Sequence, residues 1–103
     1  MNETVYQHMS LGTGKATVAI RVDEDTPSHR VARVGLATCS PKDQFSRKRG
    51  RAIAEGRLQA RKFFMQLTVA DGTNVKQEVA KAIKAQARGK SLRLPSWAWK
   101  ETE

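Results

Sequence analysis

Residues 40–67 read SPKDQFSRKRGRAIAEGRLQARKFFMQL, and they predict one long amphipathic helix around which the rest of the chain packs. Ser40 is suited to the N-cap, and Pro41 occupies the first helical position, where its missing N–H costs nothing. Asp43 stands where a capping box has its acidic partner, and its charge favours the positive end of the helix dipole. The pattern therefore predicts a helix that begins at these residues.

Two faces of this helix differ in character on a wheel of about 100° per residue. An arc of about 120° is apolar or small and is wide enough to face a core: Phe45, Ala52, Ile53, Gly56, Ala60, Phe63, Phe64 and Leu67. The opposite side collects basic residues: Arg47, Arg51, Arg57, Arg61 and Lys62, with Lys48 on its flank. Gly56 would let a neighbouring element approach closely and Gly50 would admit a ligand backbone, with simple tolerance of glycine as the alternative for both. The separation predicts packing through the apolar arc and a cationic outer surface.

The end of this helix has two interpretations. No Gly, Pro or Asn separates the segment FFMQLTV from the residues before it, and the helical pattern stays in phase through Leu67. We therefore expect helix to about Gln66. The same segment is rich in residues that favour strands, so a strand over 63–69 is the alternative.

Alternating residues ahead of the helix predict an antiparallel sheet. The segment 16–22, ATVAIRV, alternates apolar residues on one face, and 30–38, RVARVGLAT, returns after an acidic turn. The segment 4–9, TVYQHM, would be a third strand. Arg21 and Arg33 fall on the face opposite the larger apolar residues, so we expect them to extend the basic surface onto the sheet.

A second, shorter helix is predicted over about 75–88. Thr73 or Asn74 would be its N-cap, and Gly89 would end it. Its inner stripe would consist of Val75, Val79, Ala82 and Ile83. The predicted fold is therefore α+β, with a two- or three-stranded antiparallel sheet packed against a long amphipathic helix and a second shorter helix, in a single basic domain over residues 1–90.

The tail, residues 91–103, contains two alternating leucines and then two alternating tryptophans, separated by a proline, which predicts an extended segment. Trp97 and Trp99 would clamp the tail onto the body of the domain. The alternative is that they stack on bases or contact a partner protein.

Charge is unevenly distributed along the 103 residues, whose formal net charge is +9. Residues 1–40 contain four basic and four acidic side chains, whereas residues 41–103 contain fifteen basic and six acidic ones. Such a one-sided excess is typical of proteins that bind a polyanion.

Catalytic and metal-binding patterns are weak. The single cysteine, Cys39, and the two histidines, His8 and His29, lack the spacing of a zinc site or of a recognisable catalytic group. The chain has no apolar stretch of membrane-spanning length and no early secretory signal. We therefore expect a cytoplasmic protein without enzymatic activity, cofactor, metal or membrane contact.

Nucleic-acid binding, to DNA or RNA, is the predicted function, because arginine forms bidentate bonds to phosphate and guanine. The predicted contacts are Arg47, Lys48, Arg51, Arg57, Arg61, Lys62, Arg21 and Arg33. The alternative is a protein-binding inhibitor or adaptor, of the kind found in phages and mobile elements, that docks its cationic face on an acidic partner. Leu58 and Met65 favour that alternative, because the wheel places these apolar residues among the arginines.

Overall fold

A computed structural model of the chain describes residues 4–26, 29–70, 74–90 and 93–99. Within these residues the strands are β1 (Thr4–Leu11), β2 (Gly14–Thr26), β3 (His29–Cys39) and β4 (Met65–Ala70). The helices are α1 (Arg47–Gln59) and α2 (Val75–Arg88), followed by a short 3-10 helix over Ser96–Trp99. The strands form one antiparallel sheet in the order β1-β2-β3-β4. The predicted α+β class is confirmed, but the sheet has four strands instead of two or three.

A two-residue turn joins β1 to β2, which pair from Thr4 opposite Arg21 to Leu11 opposite Gly14. Gly12 in this turn has φ of 57°, a conformation that glycine adopts without a steric penalty. A Cβ at Gly12 would also lie 2.2 Å from the carbonyl oxygen of Trp97. Glycine is therefore needed here both for the turn and for the close approach of the C-terminal segment.

The two faces of the sheet carry different helices. Val18 and Ile20 of β2 belong to the larger core cluster, together with Val79 and Ile83 of α2. The intervening residue Ala19 belongs to a smaller cluster with residues of α1. Since successive side chains of a strand point to opposite faces, α1 and α2 cover opposite sides of the sheet.

The predicted long helix is wrong at both ends. Ser40 starts only a turn, in which its carbonyl accepts from Asp43 N at 3.0 Å and its hydroxyl accepts from Lys42 N at 3.3 Å. The helix itself begins after Ser46, whose hydroxyl accepts from Arg49 N at 3.3 Å. A second serine therefore provides the N-cap that the sequence placed six residues earlier, and α1 has 13 residues.

The strand alternative for the segment after α1 is correct. Arg61 has φ of 59°, and Lys62 N donates to the carbonyl of Arg57 at 2.9 Å, which closes the last turn of the helix. Residues Met65–Ala70 then pair with β3, from Met65 opposite Val34 to Ala70 opposite His29. The pairing that β3 offers outweighs a helical pattern that continues in phase only by coincidence.

The buried face of α1 is the reverse of the predicted one. Ala54 and Leu58 are buried, whereas Ile53 from the predicted apolar arc is 38% exposed. Small residues explain the reversal, because a Cβ at Gly35 of β3 would lie 2.3 Å from the carbonyl oxygen of Ala54. A Cβ at Gly50 would lie 2.3 Å from Thr17 Oγ1. The helix backbone therefore approaches the sheet directly, with long side chains on either side of the contact.

The second helix has the predicted bounds, but it is not the shorter one, since α2 has 14 residues and α1 has 13. Asn74 is the N-cap, with its side chain accepting from Gln77 N at 3.3 Å, and Gly89 is the C-cap. Val79, Ile83 and Ala87 are buried against the sheet.

The tail differs from the expected extended segment. Ser96–Trp99 forms a 3-10 helix, and Leu94 and Ala98 are buried in the larger core cluster. The carbonyl of Trp97 accepts from Thr13 N at 3.2 Å. The described part of the tail therefore closes one end of the core against the β1–β2 turn.

Candidate nucleic-acid interface

Four basic residues crowd the N-terminal end of α1. Arg47, Lys48, Arg49 and Arg51 lie within the first five residues of the helix, all of them exposed, and we call them the α1 cationic cluster. The first turn carries no acidic residue. Because the helix dipole already places positive charge at this end, each cation here is electrostatically unfavourable in the free protein. The arrangement therefore creates a strongly positive surface. A bound anion would reduce the electrostatic repulsion among these charges.

The position of the α1 cationic cluster is set by contacts at the start of the helix. Ser46 caps the helix, and Gly50 packs directly on Thr17 of β2. These two contacts hold the first turn against the sheet, so the four cations extend from a rigid base.

A histidine lies under the cluster. His8 Nδ1 is 2.9 Å from Thr17 Oγ1, and its ring meets that of Phe45 edge-to-face at 5.6 Å between centroids. Burial lowers the pKa of His8 below its usual value, and the charges of Arg47 and Arg51 lower it further. The neutral imidazole is therefore favoured, and a bound anion that screened these arginines would favour its protonation.

The acidic residue of α1, Glu55, is engaged with the sheet. Its carboxylate is close enough to Tyr6 of β1 to affect the titration of the phenol. Burial raises the pKa of Tyr6, and the adjacent Glu55 carboxylate raises it further. The neutral form of the Tyr6 hydroxyl is therefore favoured beside Glu55.

A second group of cations lies near the C-terminal end of α1. A recess of about 240 Å³ is lined by Leu36, Thr38, Arg57, Lys62, Phe64 and Arg93, and we call it the cationic recess. Arg57 Nη1 donates to the carbonyl of Leu36. Arg93 Nη2 donates to the carbonyl of Phe63 at 2.8 Å, and its guanidinium lies 4.5 Å from the centre of the Phe64 ring. Both arginines are thus oriented by the backbone.

Arg61 lies in the turn between α1 and β4. Its φ of 59° is one that glycine adopts freely and that costs other residues roughly 1–2 kcal/mol. An exposed arginine at a position suited to glycine is consistent with a role for its charge in binding an anion.

The predicted extension of the basic surface onto the sheet is only partly realised. Asp23 lies between the two arginines concerned, with Arg21 Nε 3.6 Å from Asp23 Oδ2 and Arg33 Nη1 also paired to that oxygen. Arg33 further lies 6.0 Å from the centre of the Phe63 ring. Arg21 and Arg33 therefore face a carboxylate that competes with any phosphate.

The apolar residues expected to contact a partner have other positions. Leu58 is 1% exposed in the core beneath α1, so its expected exposure is wrong. Met65 is half-buried against the larger core cluster. Trp97 packs against that cluster as well, and a Cβ on Gly14 would meet its ring at 2.5 Å. Trp97 thus acts as the predicted clamp, while the side chain of Trp99 lies outside the described part of the structure.

Two cations of the interface were not among the predicted contacts. Arg49 falls within the predicted apolar arc, because the predicted wheel has its inner and outer faces reversed. Arg93 joins the recess across thirty residues of sequence, and no local pattern signals such a contact. Only the density of basic residues in SRKRGR pointed to the first of them.

In residues 4–26, 29–70, 74–90 and 93–99, no group of three or more His, Cys, Asp or Glu side chains could hold a metal ion. Over the same residues, neither helix combines the length and apolar character that crossing a bilayer requires. Cys39 is half-buried at the end of β3, with its Sγ 3.7 Å from the carbonyl oxygens of Ser40 and Asp43.

Comparisons with protein-family models, with curated proteins and with solved structures find no match to this chain. The fold and the two cationic features define a small α+β protein with a basic face built around one helix. Its function is therefore inferred from the charge and geometry of these residues.

Proposed function

We propose that the protein binds nucleic acid through the α1 cationic cluster, without catalysing a reaction. The observation that carries this proposal is the placement of Arg47, Lys48, Arg49 and Arg51 in the first five residues of α1, with no acid in the first turn. Each cation near a helix N-terminus forgoes roughly 0.3–1 kcal/mol that an acidic residue would contribute there. A helix selected for stability alone would carry the opposite charges.

Phosphates match the chemistry of this surface. Arginine offers several N–H donors to phosphate oxygens, and the positive end of the helix dipole adds to the attraction. If the four cations neutralise four phosphates of duplex DNA, log affinity falls with log salt concentration with a slope of about −3 to −4. Nothing in the arrangement selects DNA over RNA.

The first prediction uses two lysines at equivalent helix positions. Lys48 is the second residue of α1 and Lys76 is the second residue of α2, and both are exposed. Lys48→Glu and Lys76→Glu should each stabilise the fold by about 0.3–1 kcal/mol through the helix dipole. Only Lys48→Glu should weaken binding and reduce the salt slope by about 1 unit. The measurements are thermal unfolding and fluorescence anisotropy with labelled single-stranded and duplex DNA and RNA at 50 and 200 mM salt.

Opposite signs for stability and affinity make the result decisive. A variant that binds worse because it folds worse is excluded when Lys48→Glu melts higher than the wild type. Equal binding by the two variants would contradict the assignment of the site to α1. An absence of salt-dependent binding to every probe would remove the nucleic-acid proposal.

A second function is favoured by Ile53. Its side chain is 38% exposed beside Arg49, in a recess that Phe45 also lines. Exposed apolar side chains among arginines are typical of protein interfaces. We therefore keep an acidic protein partner as the alternative, and Ile53→Ser separates the two, since it weakens a protein complex and leaves phosphate contacts unchanged.

A further inference from the structure

The cationic recess is distinct from the α1 cationic cluster in its shape. The cluster spreads over the open surface of a helix, whereas Arg57, Lys62 and Arg93 line a recess of about 240 Å³ with Thr38. No acidic side chain is among the lining residues in the part of the chain that the structure describes. Three cations at one concave site favour a compact ligand with more than one negative charge.

The recess exists because β4 is shorter than β3. The pairing of β4 with β3 ends at Met65 opposite Val34, and one further bond joins Phe64 N to the Val34 carbonyl at 2.8 Å. Leu36 and Thr38 lie beyond this point on β3. The strand edge that β4 leaves uncovered forms one wall, and the carbonyl of Leu36 there accepts from Arg57.

Two of the three cations are oriented before any ligand arrives. Arg57 is held by the Leu36 carbonyl, and Arg93 by the Phe63 carbonyl and the Phe64 ring. A guanidinium has five N–H donors in a fixed planar arrangement, so a bond to a carbonyl fixes the orientation of that plane. Less side-chain entropy is then lost on binding, which is how preorganised sites gain affinity.

We propose that the cationic recess binds the terminal phosphate of a nucleic-acid strand, an inference that rests on the proposed function. A terminal phosphate is a monoester with a net charge between −1.5 and −2 at neutral pH and three oxygens that accept strong hydrogen bonds. It projects from the strand end and can enter a recess. An internal phosphodiester carries a single charge and is attached to the strand on both sides, so the open cluster on α1 suits it better.

The volume agrees with such a ligand. A recess of about 240 Å³ holds roughly eight waters at ~30 Å³ each, which leaves room for a phosphate group with part of its hydration. Thr38, exposed at the wall, adds a hydroxyl that can donate to a phosphate oxygen.

The test compares one 12-nucleotide single-stranded DNA with a 5′-phosphate, a 3′-phosphate or hydroxyl groups at both ends, by anisotropy at fixed salt. At least one of the two phosphorylated strands should bind about tenfold or more tightly than the strand with hydroxyl groups at both ends, as expected for one charge-assisted contact. Lys62→Gln and Arg93→Gln should remove this preference. The matched control Lys84→Gln, at an exposed lysine of α2 that does not line the recess, should keep it, and Lys48→Gln should weaken all three strands by the same factor.

Lys62→Gln keeps the test valid if Arg93→Gln fails to fold, because Lys62 is exposed in the turn after α1. Equal affinity for all three strands overturns the inference and leaves the proposed function standing. Binding of inorganic phosphate or pyrophosphate, seen as shifts of the Thr38 and Lys62 amide signals, with no preference among the strands, also overturns it. Failure of every strand to bind removes the proposed function together with this inference.

Discussion

Two glycines on α1, six positions apart, have opposite surroundings. A Cβ at Gly50 would lie 2.3 Å from Thr17 Oγ1 and 2.9 Å from Thr17 Cβ, whereas a Cβ at Gly56 would meet nothing within 4 Å. Alanine is favoured over glycine by about 1 kcal/mol inside a helix in either case. At Gly50 this gain is opposed by overpacking against a β-branched side chain that has little freedom to move.

We therefore predict that Gly56→Ala stabilises the protein by up to about 1 kcal/mol and that Gly50→Ala destabilises it by about 1–3 kcal/mol. Urea unfolding followed by circular dichroism measures both. Each variant is the control for the other, because the change in helix propensity is the same. Equal stabilisation by the two substitutions would show that α1 does not rest on Thr17.

His8 gives a prediction of pH dependence at the same scale. Its pKa in the folded protein is lowered from 6.5 by burial and then by Arg47 and Arg51. Between the lowered pKa of the folded protein and the usual pKa of histidine, the unfolded chain therefore binds more protons at this residue than the folded protein does. The free energy of unfolding should decrease as the pH falls through that window and rise as the pH increases. Phosphates bound at Arg47 and Arg51 should raise the pKa of His8.

The measurement is an NMR titration of the His8 ring in the His29→Gln variant, which leaves one histidine in the chain. The pKa should lie below its usual value in the free protein and move upward when DNA is present. By linkage, binding should then become tighter as the pH is lowered through this range. A His8 pKa that stays the same on saturation with DNA would place the ligand away from Arg47 and Arg51.

At the scale of the element, α1 shows what its own sequence can and cannot predict. Its helical character was predictable from composition, and the second helix was predicted with both caps. The buried face of α1 was not, because Ile53 outranks Ala54 in hydrophobicity, yet Ala54 is the residue that meets the sheet. The reason lies in a different strand, where Gly35 leaves space for the Ala54 carbonyl.

The end of α1 is also decided by a distant part of the chain. The local pattern of FFMQLTV favours a helix and leaves a strand as the alternative, and the free edge of β3 decides for the strand. Arg93 joins the recess from beyond α2 for the same reason, since its contacts with Phe63 and Phe64 come from tertiary packing. Concentration of positive charge was predictable, but its division into an open cluster and a recess required the fold.

For the whole molecule, the C-terminal segment decides whether the chain behaves as one cooperative unit. Leu94 is 3% exposed and Ala98 is 2% exposed in the larger core cluster, so the 3-10 helix shares its core with β1, β2 and α2. Single domains of this size usually unfold in one transition. The domain division predicted at residue 90 would instead give a tail that detaches first.

We predict that Leu94→Ala lowers the free energy of unfolding by about 2–5 kcal/mol, as a leucine buried in a shared core should. Ile53→Ala, which removes a similar volume from a partly exposed position, should cost less, about 1–2 kcal/mol, because 38% of its surface stays in contact with water after folding. Tryptophan fluorescence and far-UV circular dichroism should give coincident urea transitions in both variants. A fluorescence change that precedes the loss of helix and strand signal would mean that the tail opens by itself, and Leu94→Ala would then change that early step while leaving the main transition in place.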